Sequence, residues 1–315
     1  MKILITGAAG FIGEFVLSEV LRREHQVIAL VRSSVPAQWQ GIQNLEVLRC
    51  DLRHAQVLDL KDKGIDVVLH LAAATKGSMT QQYQDTVIGT RNLLNAARRA
   101  GICRIVGISS IAVLDYRSVR PMALIDEQVP AARYDGMGVY TTAKLEQESL
   151  FLNFGREGAN SCGILRPGLV YDQSRLVAAH AGVVKDLICL LVSHCGEVPT
   201  IEVHGLARAI ANAAERELMG CEVIHLVDDQ LPGQQDYIAG LRRRGLLPPG
   251  GIVIPWRVLQ GVFALLGIML TVGGFGAKLP EVLLPRVFSA RLKPFRFSNS
   301  KAKEMLDWTP GREFA

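Results

Sequence analysis

Three observations predict an α/β fold built on a doubly wound parallel sheet. A glycine-rich turn stands directly behind the first apolar run, strand-like and helix-like patterns alternate through the first half, and the chain has 315 residues. That length accommodates one large α/β domain with a smaller appendage. The β-α-β-α order makes the strands parallel and covers both faces of the sheet with helices.

The elements follow in order. Ile3-Leu4-Ile5 centres a first strand at 2–6, and the octapeptide from Thr6 to Gly13, TGAAGFIG, turns it into a helix at 13–23. Gly7 permits the tight turn, Gly10 lets the backbone approach phosphate oxygens, and Gly13 lets the helix pack against the strand. The helix N-terminus offers free N–H groups to an anion, so this junction is the expected seat of a dinucleotide pyrophosphate. Further strands are predicted at 26–31, 45–50, 67–71 and 104–109, with a helix at 81–100 that is apolar at Val87, Leu93, Leu94 and Ala97. A helix at about 135–156 leads to a strand at 162–165, and 221–227 reads as the last strand. The pattern is Rossmann-type. Residues 1–171 form its dinucleotide-binding domain, to which a strand and helix return at about 200–228. Residues 172–199 and 229–315 form a smaller C-terminal substrate-binding region over the strand ends where ligands bind.

Composition narrows the class. Six scattered cysteines (Cys50, Cys103, Cys162, Cys189, Cys195, Cys221) include no C-x-x-C pair, which predicts a reduced protein without structural metal. The first strand begins at once, with no charged and apolar leader before it, and the expected location is cytoplasmic. A net charge of +5 suits an anionic small ligand, but nothing resembles a nucleic-acid-binding stripe. The triplet Arg242-Arg243-Arg244 reads as a solvated helix face. Residues 258–277 carry no formal charge and, as a helix, would be about 30 Å long, the span of a bilayer. Five glycines and flanking prolines favour a buried or substrate-lining helix; peripheral membrane contact is the alternative.

Tyr140 and Lys144 lie four residues apart on a predicted helix, so both project from one face. A tyrosine titrates near pH 10, about three units too high for proton transfer at neutrality, and a neighbouring ammonium lowers that value. Ser110 ends the fifth strand at the sheet edge facing the nucleotide. Its hydroxyl can donate to a carbonyl or carbinol oxygen.

With these residues in place the sequence resembles the extended short-chain dehydrogenases/reductases, the NAD(P)-dependent epimerase/dehydratase group. Besides the glycine loop, the resemblance rests on Asp51-Leu52, His70-Leu71-Ala72-Ala73, Ile108-Ser109-Ser110, Asp126-Glu127, Tyr140-Thr-Thr-Ala-Lys144, the run Leu165 to Tyr171, and KAKEMLDWTP at the tail. It implies that Tyr140 gives or takes the proton, Lys144 holds the ribose hydroxyls, and Ser110 orients the reacting oxygen. Gly7, Gly10, Phe11 and Ile12 would line the pyrophosphate, Asp51 and Leu52 the adenine, and Leu71, Ala72 and Ala73 the middle of the cofactor. Pro167 joins the cofactor-contacting set. His70 is expected to be a packed strand-end residue.

After the second strand an acidic residue would select NAD, whereas the chain reads Val31-Arg32-Ser33-Ser34. Arg32 and two hydroxyls suit a 2′-phosphate, so NADP is expected over NAD. Departures from the family pattern bear on the substrate. Thr86 stands where the family carries an asparagine, Arg166-Pro167-Gly168 where nucleotide-sugar enzymes place another, and Thr200 to Gly205 lacks their arginine signature. His204 is read as a locally satisfied side chain. The first functional reading is 4-epimerisation or 4-keto reduction of a nucleotide-activated sugar by a homodimer. The alternative is a reductase of an apolar alcohol or ketone like the 3β-hydroxysteroid dehydrogenases, and a third is a non-catalytic NADP-binding regulator.

Overall fold

The computed structural model describes residues 1–133, 138–185, 188–248, 250–262, 291–311 and 314. In chain order the elements are β1 (Lys2–Thr6), α1 (Phe11–Arg22), β2 (Gln26–Val31), β3 (Leu45–Arg49), β4 (Val67–His70), α2 (Met79–Gln82), a π-helical turn (Tyr83–Ile88) and α3 (Gly89–Arg99). There follow β5 (Arg104–Ile108), β6 (Leu124–Ile125), α4 (Val139–Gly155), β7 (Ser161–Pro167), β8 (Leu169–Tyr171), β9 (Gly182–Lys185) and β10 (Ile188–Ser193). The chain continues through β11 (Thr200–Glu202), α5 (Val203–Glu215), β12 (Cys221–Leu226), α6 (Gln234–Arg243), β13 (Ile252–Pro255), β14 (Arg296–Phe297) and α7 (Ser300–Leu306).

Seven strands form one sheet in the order β12-β7-β5-β4-β1-β2-β3, every pair parallel. Period-two alternation sends successive side chains of β1 to opposite faces. Ile3 and Ile5 pack under α1 and α5 with Val16, Leu17, Leu206 and Ile210, while Leu4 packs under α3 and α4 with Leu93, Leu94, Phe151 and Phe154. Both layers are dry, which is why these strands read as nearly continuous apolar runs. The fold is the Rossmann-like sheet the alternation predicts.

Strand order reverses between β1 and β4, and the turns leaving their carboxyl ends, 7–10 and 71–74, face one another across the crevice. This switch point is where an open α/β sheet takes its ligand. Outside the sheet, β10 pairs with β9 and β13, β11 with β8, and β14 with β6. These pieces come from 124–125 and from the chain beyond 169. Tyr171, Leu191, Tyr237 and Leu241 form their core.

The tyrosine-bearing helix starts at Val139, and residues 134–137 of its expected first turn lie outside the described set. Residues 256–262 are helical, with Val258 and Val262 exposed, whereas 263–277 of the uncharged stretch lie outside the described residues. Among the described residues no helix is long and apolar enough to cross a membrane. Arg242 and Arg243 are exposed as expected of a solvated face, but Arg244 turns inward and its Nη1 donates to the Asp172 carbonyl at 2.9 Å.

Candidate active site

The glycine turn is built for close approach. Gly7 has φ +72°, and a Cβ there would stand 2.8 Å from the Ala72 amide nitrogen across the crevice. A Cβ on Gly13 would meet the Gly7 carbonyl oxygen at 2.1 Å, so only glycine lets α1 start this near β1. Gly10 caps α1 without a side chain, leaving first-turn N–H groups to a ligand. In front of the turn lies a cavity of about 410 Å³ bounded by Gly7, Gly10, Arg32, Asp51, Leu52, Leu71, Ala72 and Ala73. Eight of the expected cofactor residues thus meet in one place. Phe11 and Ile12 do not border it: Ile12 packs against the core under the sheet, and the Phe11 ring lies beneath the Arg175 guanidinium at 4.6 Å. Pro167 ends β7, buried against Leu226 of β12, and does not border the cavity.

At the cavity's far end Asp51 is engaged by Arg53, whose Nη2 and Nε reach its carboxylate at 2.6 and 3.0 Å. Those hydrogen bonds pull the Asp51 acid down to about 2. Asp85, on the π-helical turn, lies 3.5 Å from Arg32 and 3.6 Å from Arg53. Sequence reasoning missed Arg53 and Asp85. Nothing in spacing alone points to them, because they meet Arg32 only through the sheet's topology.

On the other side of β4, Ser110 follows β5, its Oγ accepts from the Ala112 amide at 3.2 Å, and its hydroxyl neighbours the half-buried Tyr140 phenol on α4. Burial pushes Tyr140 above the ordinary tyrosine value, and the neighbouring Ser110 hydroxyl opposes that only in part. Lys144, one turn on, is buried and burial brings it down to about 7. Its Nζ donates to the Ile108 carbonyl at 2.7 Å and to Gln147 Oε1 at 2.8 Å. The sequence leads one to expect an ammonium that lowers the phenol's pKa. Instead two oxygens of the protein's own interior hold that ammonium, and desolvation dominates the phenol.

His70 is a packed strand-end residue as expected, fully enclosed between Thr6 and Thr90, and burial takes it down to about 3. Thr86 retains part of what an asparagine would do, since its Oγ1 accepts from the Ala74 amide at 3.0 Å and anchors the loop after β4. His204 packs edge-on against Phe15 at 4.7 Å. Arg166, first of the Arg166-Pro167-Gly168 run, points into the core and pairs with Glu148.

A glycine cradle at the switch point, with a Ser-Tyr-Lys set beside it, fits a nicotinamide dinucleotide. The model of the NAD dependent epimerase/dehydratase family matches residues 3–217. The chain belongs to that family. Its members are enzymes of the extended short-chain dehydrogenase/reductase type, and the cofactor is a nicotinamide adenine dinucleotide. The chain is 32% identical over 255 residues, 75% of its length and 64% of the relative's, to the 3 beta-hydroxysteroid dehydrogenase/Delta 5-->4-isomerase of Mycobacterium tuberculosis. It is also 32% identical over 173 residues to the 4-hydroxy-2-methyl-3-oxo-4-farnesyl-3,4-dihydroquinoline-1-oxide ketoreductase of Stigmatella aurantiaca, covering 54% of this chain and 51% of that protein. The matches thus span between half and two thirds of these curated relatives. Among solved structures it is similar to UDP-glucuronic acid 4-epimerase from Bacillus cereus in complex with NAD, with TM-score 0.70, 19% identity, and coverage of 99% and 94% of the two chains. At that identity the likeness concerns the fold.

Proposed function

We propose that this family member is an NADP(H)-dependent reductase or dehydrogenase acting on an apolar ketone or secondary alcohol, with Ser110, Tyr140 and Lys144 as its catalytic set. The observation that carries the reading is the convergence of Ser110 and the Tyr140 phenol at the sheet edge, with Lys144 buried one helical turn behind them. When bound, the dinucleotide supplies or accepts the hydride. Ser110 donates a hydrogen bond to the substrate oxygen and fixes its distance from the phenol. Tyr140, held protonated at neutral pH by burial, gives its proton to that oxygen as a carbonyl becomes an alcohol, and regains one from solvent between turnovers. Lys144, with two of its N–H groups held by Ile108 and Gln147, would offer the third to the cofactor ribose. Arg32 and Arg53, which share Asp85 between them, would receive a 2′-phosphate.

The apolar substrate class is supported by the hydroxysteroid and farnesyl-quinoline names of the sequence relatives. The run Arg166-Pro167-Gly168 supports it too, because it lacks the asparagine with which nucleotide-sugar enzymes of the family hold their substrate. One feature favours a second reading, a nucleotide-activated sugar bound by a homodimer for 4-epimerisation or 4-keto reduction. A cleft of about 850 Å³ between Phe15 and Tyr171 carries Arg208 and Ser174, groups suited to a pyrophosphate, beside the carboxylates Asp172 and Glu202. The test is oxidation of NADPH by the purified protein against two panels, cyclic and long-chain apolar ketones and UDP-4-keto sugars. Turnover of the first panel alone supports the proposal. Turnover confined to the second replaces it.

A further inference from the structure

A file of buried polar groups runs from Lys144 across the molecule to the loop after β4. Gln147 Nε2 donates to Thr90 Oγ1 at 2.9 Å, His70 Nε2 lies 2.7 Å from the same oxygen, and His70 Nδ1 lies 2.6 Å from Thr6 Oγ1. Thr90 donates its own proton to the Thr86 carbonyl at 2.5 Å. That single proton settles every direction in the file. Thr90 Oγ1 has none left to give, so both Gln147 and His70 Nε2 donate to it, and His70 Nδ1 accepts from Thr6. Thr6 Oγ1 is left to accept from the Ala72 amide, at 3.4 Å. The Gln147 amide is therefore locked with its NH₂ toward Thr90 and its carbonyl oxygen toward Lys144 Nζ.

We infer that Gln147 is a positioning residue which, oriented by Thr90 and His70, holds the Lys144 ammonium in place and favours its charged form beside the phenol. The role rests on the Tyr140–Lys144 reading proposed above. Gln147 and Thr90 are almost fully enclosed, at 0% exposure each, so no water competes for the amide. The charged and titratable groups around Lys144 are Tyr140 and Glu148 on its own helix, Arg166 of β7, which takes up the Glu148 carboxylate, and neutral His70 of β4. With Glu148 already committed, Gln147 Oε1 and the Ile108 carbonyl are the oxygens that neutral geometry assigns to Nζ. A lysine desolvated to about 7 depends on such acceptors to stay protonated near neutrality.

The test is an NMR titration of the Lys144 side chain in the full-length protein without cofactor, alongside the pH profile of turnover. Gln147→Met keeps the volume and removes the acceptor, and it should lower the Lys144 midpoint by roughly one unit. Gln147→Glu supplies a charged oxygen and should raise it. Opposite shifts are the signature, because a merely structural role moves both variants the same way. Should Gln147→Met fail to fold, Thr90→Val removes the acceptor that orients the amide and carries the same expectation, a lowered midpoint. An unmoved midpoint, or two shifts of one sign, overturns the inference. Retained turnover in Tyr140→Phe would instead remove the catalytic reading, while leaving the Lys144 shifts intact.

Discussion

Glu148 of α4 and Arg166 of β7 meet in the interior, with Nε and Nη2 at 2.8 and 2.7 Å from the two carboxylate oxygens and side chains only 4% and 7% exposed. This paired fork clamps the tyrosine-bearing helix to the sheet. Removing one partner leaves an uncompensated buried charge, which costs about 3–5 kcal/mol, whereas replacing both by apolar groups costs far less. Glu148→Leu and Arg166→Met should each lower the stability measured by urea unfolding by that amount, and the double variant should recover much of the loss. Additive losses in the double variant would show that the two side chains act independently.

Tyr140→Phe removes one hydroxyl from a half-buried ring and leaves the cavity in front of Gly7 untouched. Turnover should fall by about 10²- to 10⁴-fold, the range general acid catalysis contributes. Dinucleotide affinity, measured by fluorescence titration, should change little, because the glycine turn and the Arg32 end of the cavity are built by other elements. Loss of affinity in step with turnover would make the phenol a binding group.

Arg32 stands 59% exposed and shares Asp85 with Arg53. A 2′-phosphate arriving there would exchange a weak carboxylate contact for charge-assisted hydrogen bonds worth about 1.5–3 kcal/mol when well formed. NADPH should therefore bind more tightly than NADH. Arg32→Ala should remove roughly tenfold of the NADPH affinity, the low end of that range given the exposure, and leave NADH unchanged. Equal binding of the two forms by the unaltered protein would assign the site to NAD.

The first half of the fold was legible because its signals are local. Period-two apolar runs, a glycine turn and a serine at a strand end each fix what happens within a few residues. Tyr140 and Lys144 were legible for the same reason, being one helical turn apart. Gln147, Thr90, Arg53 and Asp85 were not, since each looks like an ordinary polar residue on a helix or loop. Their partners lie 57 residues away for Gln147 and Thr90 and 32 for Arg53 and Asp85, brought together only by the parallel crossovers. Arg244 was misread for a related reason. The triplet is polar enough for a solvated face, but Asp172 and the Phe314 ring, set by the tail, draw its third member inward.

Asp228, just beyond β12, makes stability depend on pH in a direction opposite to most carboxylates. Its Oδ1 accepts from the Glu202 amide at 3.2 Å, but Oδ2 is enclosed beside the Tyr171 phenol, and burial raises the acid from 3.8 to about 7. The folded chain then keeps this proton up to about 7, while the unfolded chain releases it near 3.8. Where the folded state binds more protons, stability falls as pH rises. The contribution is complete below about 4 and is lost as pH climbs through about 7. Asp228→Asn keeps the acceptor for Glu202 and cannot ionise. The urea midpoint of the unaltered protein, taken relative to that of Asp228→Asn, should therefore drop between about pH 4 and about pH 8. Parallel curves for the two proteins would mean that Asp228 is ionised in the folded state throughout.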